Sequence, residues 1–542
     1  MPKIFTGVRG DGILPAMKYF RRHPSDLGPT LIAFVAGLVV TLGLPPVPGT
    51  GLLVPVGLAG LFGALHAASR PGRTLWVFAL AHQTTLLHWL FFLIPAKTIP
   101  TRALVPIQAI ATILYVSAFY ALLGWLWGLL RRRTGPYAAL LVLPVLWTGM
   151  EAARAQGEMA FPWCLGGSAV LDTPLMPLLA AAGEIGLSAL MAFLGAAGAL
   201  LWIWRRRDGA ARPAALWALA GVALLGGGLV LGAGLRPVPV HGPAGGESPL
   251  REAPLRVSAV QADVSLDDKW QPALIDSSRI PYRKLTLEAA AEGADLVIWA
   301  ETAVPAYVRH DHQQLAWLRG VIHEAGAAVF TGFPDAQQGL DGKLLRYNGA
   351  GLFNAQGRLQ DRYMKHHLLP IGEAMPFTRY FPALAKLDVG QAEWAPGAPP
   401  EAITLQTDAG GFPFSGLICF ESILAAQARD SVRRGSRCLM ILTNDGWFGQ
   451  TAGPRQHSAL ARLRAAECRV PVVRCANNGI SFISDSSGRL LARLGLGRRG
   501  WISAAIAPGS GATAYVRWGA WPLCWGLLIW SALVLWMGRR WA

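Results

Sequence analysis

Charge is what this chain has least of. Only 15% of its 542 residues are Asp, Glu, Lys or Arg, whereas 53% are hydrophobic. That balance excludes an ordinary soluble globule and belongs to proteins whose solvent is partly lipid. Acidic residues are the scarcer sign, 32 against 49 basic, for a net charge of +17. Such an excess can signal nucleic acid, but its placement argues otherwise. Residues 251–517 hold 29 Lys and Arg against 24 Asp and Glu, while the rest of the chain holds 20 against 8. Most of the surplus flanks apolar runs, so no nucleic-acid partner is expected. Internal repeats are absent. Zinc spacings are absent too, since His366 and His367 stand side by side with no Cys, Asp or Glu at a ligand distance along the chain. Neither a metal nor a cofactor is expected.

What the chain has instead is long apolar runs and 21 Trp, a residue that collects at lipid–water boundaries. Runs long enough to cross roughly 30 Å of hydrocarbon fall near 29–47, 51–68, 73–95, 104–130, 136–153, 177–204, 214–236 and 518–538. The first is read as an anchor and not a cleaved signal, because about 28 residues precede it and no small-residue cleavage site follows a short apolar core. Lys and Arg near the ends of the runs set the orientation. With the N-terminus inside, one side collects Lys3, Arg9, Lys18, Arg21, Arg22, Arg70, Arg73, Arg131 to Arg133, Arg205 to Arg207, Arg212, Arg539 and Arg540. The other side has only Lys97, Arg102, Arg154 and Arg236. Eight spans then leave both termini cytoplasmic and the large segment before the last span on the far side.

The expected organisation is a cytoplasmic tail (1–28), a membrane domain of seven helices (29–236), a Pro- and Gly-rich linker (237–254), a globular domain (255–512), and an eighth helix with a cytoplasmic end (513–542). Within the globular domain, strand-like runs at 257–261, 296–300, 327–332, 417–419, 439–443 and 472–476 alternate with helical patterns at 279–292 and 456–468. That succession predicts a layered α/β domain. The stretch 366–400 reads as a long loop rich in Pro, Gly and aromatics, the usual make-up of a lid or binding surface.

Three segments carry the chemistry, and they stand about 55 to 65 residues apart. Glu301 ends the apolar run Asp295-Leu296-Val297-Ile298-Trp299-Ala300, where partial desolvation would raise its pKa and suit it to general-base work. Lys365 precedes His366-His367 and stands eight residues before Glu373, a second carboxylate on the stiff loop Pro370-Ile371-Gly372-Glu373. Cys419 ends Ser415-Gly416-Leu417-Ile418, and Glu421 follows two residues on. A helix beginning after Phe420 would aim amides at the sulfur, favouring a thiolate and any oxyanion on an attached acyl group. Each residue alone also fits a plainer role: a strand-terminal Glu, a surface Lys, a small buried Cys. A base, a cation and a thiol together suit acyl transfer through sulfur.

These segments resemble the Glu–Lys–Cys triad of the nitrilase (carbon–nitrogen hydrolase) superfamily. Joined to eight spans in this order, they resemble its membrane-anchored branch, the apolipoprotein N-acyltransferase family. The likeness includes Trp147-X3-Glu151-X2-Arg154, Phe161-Pro162-Trp163, Thr443-Asn444-Asp445-X-Trp447-Phe448, Gln456-His457, Arg462, Arg464, Glu467, Arg469 and Asn477-Asn478-Gly479. One departure is Phe420, where many relatives carry Tyr. The resemblance implies an α-β-β-α sandwich on a polytopic helical domain, with Glu301 as base, Lys365 as oxyanion cation and Cys419 as nucleophile. It further implies Glu373 supporting Lys365, Glu421 ordering the loop around the thiol, and ping-pong transfer. The implied donor is a phospholipid resembling phosphatidylethanolamine, and the acceptor a diacylglyceryl apolipoprotein, with the protein a monomer in the bacterial inner membrane. Trp270, Trp447, Phe377, Tyr380, Phe381, Trp394 and Trp163 are candidates to line the acyl path, although an interfacial belt would use the same residues.

Two other readings compete. An anchored amidase would pass the same thioester to water. A transporter with an appended domain would need ionisable residues along its spans, and Glu184 and His82 are among the few there. Beyond Cys419, the far-side domain holds Cys438, Cys468 and Cys475, an odd number expected to be buried thiols more than a disulfide framework.

Overall fold

The computed structural model describes residues 26–94, 103–206, 208–236, 253–269, 275–339, 342–386 and 394–541. Seven helices come first: α1 (Leu27–Leu42), α2 (Leu53–Ala67), α3 (Pro71–Leu86), α4 (Val105–Thr134), α5 (Pro136–Arg154), α6 (Leu179–Arg205) and α7 (Ala211–Gly234). Helices α8 (Leu266–Lys269), α9 (Ile275–Ala291), α10 (His312–Ala325), α11 (Ala425–Arg433), α12 (Gly453–Cys468) and α13 (Ala514–Trp518) follow, and α14 (Trp521–Trp541) rejoins the first bundle. Their apolar outer faces, such as Leu31 and Val35, Trp125, Leu231 and Trp525, have no protein cover. Exposed apolar surface of that extent needs lipid, so the helical region is a membrane domain.

Eight spans were expected, and the structure shows fewer of full length. Among the described residues, four helices are long and apolar enough to cross a membrane: Val105–Thr134, Pro136–Arg154, Met176–Arg205 and Ala211–Gly234. Leu27–Leu42, Leu53–Ala67 and Trp521–Met537 are apolar but shorter. A 16-residue helix such as α1 reaches only about 24 Å at 1.5 Å per residue. The third expected run breaks at Leu87 into a short 3₁₀ turn, His88–Phe92. Of the residues that set the orientation, Lys3, Arg9, Lys18, Arg21, Arg22, Lys97, Arg102 and Arg207 lie outside the described residues.

The globular domain contains β1 (Leu255–Gln261), β2 (Leu296–Trp299), β3 (Ala328–Gln338), β4 (Leu344–Phe353), β5 (Leu359–Met364), β6 (Ile403–Thr407), β7 (Gly410–Ile418), β8 (Leu439–Thr443), β9 (Val472–Ala476), β10 (Ser481–Ser484), β11 (Leu490–Leu494) and β12 (Gly500–Ile506). They form two six-stranded sheets, ordered β12-β1-β2-β3-β4-β5 and β11-β10-β9-β8-β7-β6. The sheets pack face to face through Ile298, Phe330, Phe412, Phe414, Leu442 and Val473. Phe330 and Phe414 meet edge to face across the gap at 5.0 Å, each buried ring contributing about 1.5–3 kcal/mol. Helices α9 and α10 cover the outer face of the first sheet, and α11 and α12 that of the second. The layered α/β expectation is met as helix, sheet, sheet, helix.

Parallel strands β1, β2 and β3, and likewise β7, β8 and β9, form the middle of each sheet. Burial on both faces explains why β2 and β8 read as unbroken apolar runs. The unpredicted strands β4, β5, β6, β10, β11 and β12 are antiparallel and lie toward or at the sheet edges. Exposed polar positions mask the pattern in β5, β6 and β11, whereas buried Gly, Asn and Ser residues break it in β4 and β10.

Candidate active site

In open parallel sheets, ligands gather where the strands end at their carboxyl termini. Glu301 follows β2, Cys419 follows β7 and Asn444 follows β8. Lys365 follows β5, which runs with β3 because two antiparallel steps separate them. The sandwich therefore brings these distant segments to one end.

Glu301 is held by both sheets. Its carboxylate accepts from Asn348 Nδ2 at 2.8 Å and from the Asn444 backbone amide at 2.9 Å. Burial pushes its carboxyl above the usual range, while Lys365 pulls it down and Glu373 pushes it up. Gly332 is required beneath it, since a Cβ there would come 2.5 Å from the Thr302 amide. Lys365 is 1% exposed, and its Nζ lies 2.6 Å from Glu373 Oε2. Burial by itself would lower that ammonium, but Glu373, then Cys419 and Glu301, hold it above its ordinary value. Asn348 Nδ2 also donates to Glu373 Oε1 at 3.2 Å, so one amide bridges the two carboxylates.

Cys419 stands at φ +53°, opening a short 3₁₀ turn, Cys419–Ile423. Thr302, Ile371 and Phe377 also have positive φ, at +45°, +68° and +61°. Strained non-glycine positions of this kind gather where function demands them. Burial, and next the charge of Glu301, push the thiol up to about 12, against the downward pull of Lys365. This corrects the expected thiolate. The turn starts at the cysteine and not after Phe420, and burial with the charge of Glu301 outweighs the pull of Lys365. A thiol protonated at rest needs a base at the moment of attack, and Glu301 is the buried carboxylate whose charge it feels most.

Glu421 is fully buried, and its carboxylate joins two of the segments. Oε1 accepts from Tyr363 Oη at 2.7 Å, the His366 and His367 amides at 2.9 Å each, and Gln427 Nε2 at 2.7 Å; Oε2 accepts from the Ile418 amide at 2.7 Å. One side chain thus pins the backbone after Lys365 and the backbone before Cys419. Phe420 is 4% exposed and shares an apolar cluster with the membrane helices, stacked near Phe161 at 6.3 Å and His367 at 6.1 Å.

Two functional residues were missed. Asn348 lies within β4, where Asn is uncommon, and that misfit was the available signal. Lys269 is 2% exposed and donates from Nζ to the Glu301 carbonyl at 2.8 Å. Burial, partly opposed by Glu301, lowers its ammonium to about 7. Nothing in the sequence marks a surface-like Lys as buried.

The lipid candidates part ways. Trp270 lies outside the described residues. Phe377, Tyr380 and Phe381 are 41%, 67% and 63% exposed on the 366–400 loop, and the Phe377 amide donates to Glu158 of the helical domain at 2.6 Å. Trp394 and Trp447 are half-buried, and the Trp447 carbonyl accepts from the Ile94 amide at 2.8 Å. Trp163 is buried in the seam between the domains, donating from Nε1 to Gln456 Oε1 at 2.7 Å, so it does not form an open lipid path.

The seam is tight. Glu184 Oε2 meets Arg464 Nη2 at 3.0 Å, Arg464 Nε lies 3.0 Å from Glu467 Oε2, and the Glu184 amide donates to Glu467 Oε1 at 2.8 Å. Removing one member of such a buried network typically costs about 3–5 kcal/mol. Glu184 therefore serves docking and not a transport path. Glu151 accepts from Trp147 and Gly166, and Arg154 donates to Tyr120. All six cysteines are free. Among the described residues, no group of three or more His, Cys, Asp or Glu could hold a metal.

Lys365→Arg is expected to lower the initial rate of acyl transfer at least about tenfold. A planar guanidinium cannot replace a point charge seated in a closed pocket. Rates measured beside a thermal melt separate this from misfolding.

Comparison with known proteins covers both halves. A carbon–nitrogen hydrolase family model matches residues 256–515, and one for the apolipoprotein N-acyltransferase N-terminal domain matches residues 36–197. The apolipoprotein N-acyltransferase of Geobacter metallireducens is 31% identical over 514 residues, covering 93% of this chain and 94% of that protein. That of Azotobacter vinelandii is 32% identical over 498 residues, covering 91% and 92%. Among solved structures, a mutant amidase from Nesterenkonia, of the nitrilase superfamily, has a TM-score of 0.37 at 19% identity, covering 50% of this chain and 96% of its own. With relatives 31% and 32% identical over more than nine-tenths of the chain, and family models matched in both the helical region and the sandwich, the chain belongs to the apolipoprotein N-acyltransferase family.

Proposed function

We propose that this protein transfers a fatty acyl chain from a membrane phospholipid to the α-amino group of the S-diacylglyceryl-cysteine that begins an apolipoprotein. The chain passes through a thioester on Cys419. What carries this reading is the setting of the thiol: Cys419 feels both Glu301 and Lys365, and its neighbour Phe420 packs among the membrane helices. A water-soluble acyl donor needs no such site, whereas a lipid-tethered one does.

Glu301 takes the thiol proton as sulfur attacks the donor's ester carbonyl. Lys365 and the Phe420 amide stabilise the oxyanion, and the C–O bond then breaks. Glu301 returns the proton to the departing lysophospholipid oxygen. In the second half, Glu301 takes a proton from the attacking amine, the C–S bond breaks as an amide forms, and Glu301 passes that proton to the departing Cys419 sulfur. Each lipid-tethered substrate visits alone, giving ping-pong kinetics. Glu373 keeps Lys365 charged and in place, and Glu421 keeps Lys365 and Cys419 in register.

The charge distribution along the apolar runs supports eight crossings of the bacterial inner membrane, with both termini cytoplasmic and the sandwich on the periplasmic side. Shorter helices such as α1 and α2 cross with the help of flanking turns and local thinning of the bilayer. The aromatic residues of the 366–400 loop and Trp447 line the path of the acyl chains.

The test uses the full chain in vesicles with a phospholipid labelled in its acyl chain. Label should appear on the Cys419 peptide, be released by hydroxylamine, and pass to a diacylglyceryl peptide as an amide. Label on another residue would end the Cys419 assignment. Release only as free fatty acid, with no amide formed, would replace transfer by hydrolysis.

A further inference from the structure

Cys419 holds a left-handed backbone, φ +53°, which a non-glycine residue adopts only under strain. Its carbonyl has left the sheet and meets two side chains. Ser422 Oγ donates to it at 2.8 Å, and His457 Nε2 lies 3.1 Å away. Ser422 Oγ also lies 3.1 Å from His457 Nε2, so serine, imidazole and carbonyl meet at one point. The tautomer in which Nδ1 accepts from Arg474 Nη2 carries its proton on Nε2, where it reaches the Cys419 carbonyl. The other ring edge is fixed as well: Nδ1 lies 3.0 Å from Asp445 Oδ1 and 3.1 Å from Arg474 Nη2, which also donates to Asp445 Oδ2 at 2.8 Å. Thr443 Oγ1 donates to Asp445 Oδ1 at 3.1 Å.

None of these groups meets solvent: Asp445 and His457 are 1% exposed, Ser422 and Arg474 fully buried. Rings of Trp163 and Phe448 stand 5.7 and 5.9 Å from the imidazole. The cluster explains the glycine of Asn477-Asn478-Gly479, where a Cβ would come 2.2 Å from Asp445 Oδ2. The order Asp445, His457, Ser422 looks like a hydrolytic triad, but a fully buried serine whose proton is committed to a carbonyl is no nucleophile.

A peptide group is planar, with its C=O and N–H pointing opposite ways. A clamp on the Cys419 carbonyl therefore also aims the Phe420 amide, away from His457 and Ser422. We propose that His457, braced by Asp445 and Arg474, is a positioning residue that acts with Ser422 to turn the Cys419–Phe420 peptide so that its N–H faces the oxyanion of both half-reactions. The inference rests on the reading of Cys419 as nucleophile.

The test compares two reactions of Cys419 in the native protein and in His457→Ala and His457→Gln. One is alkylation by iodoacetamide, followed by peptide mapping, which forms no oxyanion. The other is acylation by phospholipid, which does. His457→Ala should lower kcat of acylation about a hundredfold, the size of a misplaced oxyanion donor, with KM within about twofold and alkylation within about threefold. His457→Gln, whose amide N–H can still reach the carbonyl, should recover about a tenth of the native rate or more. Alkylation falling in parallel with acylation, equal loss in both variants, or unchanged acylation in His457→Ala would each overturn the proposal. Native protein that still transfers acyl chains after complete alkylation of Cys419 would instead overturn the nucleophile reading itself.

Discussion

Replacing Cys419 with Ala is expected to leave a folded protein that transfers no acyl chain, with the rate down by at least about a thousandfold and no thioester formed. The size of the effect follows from the lack of a substitute. Cys164, Cys438, Cys468 and Cys475 are buried, and Cys524 lies on the membrane helix α14. Cys475 is fully buried and its Sγ lies within 3.2 Å of the Val260 and Ile298 carbonyls in the core. No other sulfur shares a pocket with Lys365 and Glu301. Because Cys419 already accepts a positive φ, and Ala is the smaller residue, the turn and the Glu421 contacts should survive. Labelled phospholipid and a thermal melt of the same sample decide the matter. Near-native turnover in the variant would remove sulfur from the mechanism.

Glu301→Gln is expected to slow both half-reactions by about 10²- to 10⁴-fold, the span of a general base. The pH profile gives its signature. Burial raises the Glu301 pKa, and only the ionised form can accept the thiol proton, so native activity should climb with pH through a value above the ordinary carboxylate range. The Gln variant should lack that rise. Stability should change in the opposite sense. A carboxyl whose folded pKa is raised contributes stability below its unfolded pKa and loses it as pH rises through the folded value. At neutral pH the buried charge therefore costs stability. Removing it relieves that cost while forfeiting at most one of the two hydrogen bonds from Asn348 and Asn444, so Tm at pH 7 should hold within about 5 °C. A large drop in Tm would mean that Glu301 is chiefly structural. Unchanged rates would mean another base.

The parallel strands were legible because burial on both faces makes them apolar runs, and Glu301 and Cys419 stand where such a run stops. Leu296–Trp299 before Glu301 is of this kind, and of β7 only the end at Leu417–Ile418, before Cys419, was read. Strand β5, which delivers Lys365, reads Leu-Gln-Asp-Arg-Tyr-Met and was not recognised, since its exposed polar positions hide the pattern. Lys365 was found by its neighbours in sequence and not by its strand. Asn348 and Lys269 escaped because their roles depend on partners 47 and 32 residues away. The clamp on the Cys419 carbonyl was equally hidden. Gln456-His457 was visible as a motif, but only the packing of α12 against the turn shows what the histidine touches.

Lipid as partial solvent and an α/β domain follow from composition and local pattern, and the candidacy of Glu301, Lys365 and Cys419 follows from that pattern with the family resemblance, because hydrophobic runs and chemical type are properties of neighbours along the chain. Which groups share a pocket, that the resting thiol keeps its proton, and how far each helix reaches were decided only by tertiary structure. Those properties depend on desolvation and on fields summed over residues that folding, not sequence order, brings within a few ångströms of each other.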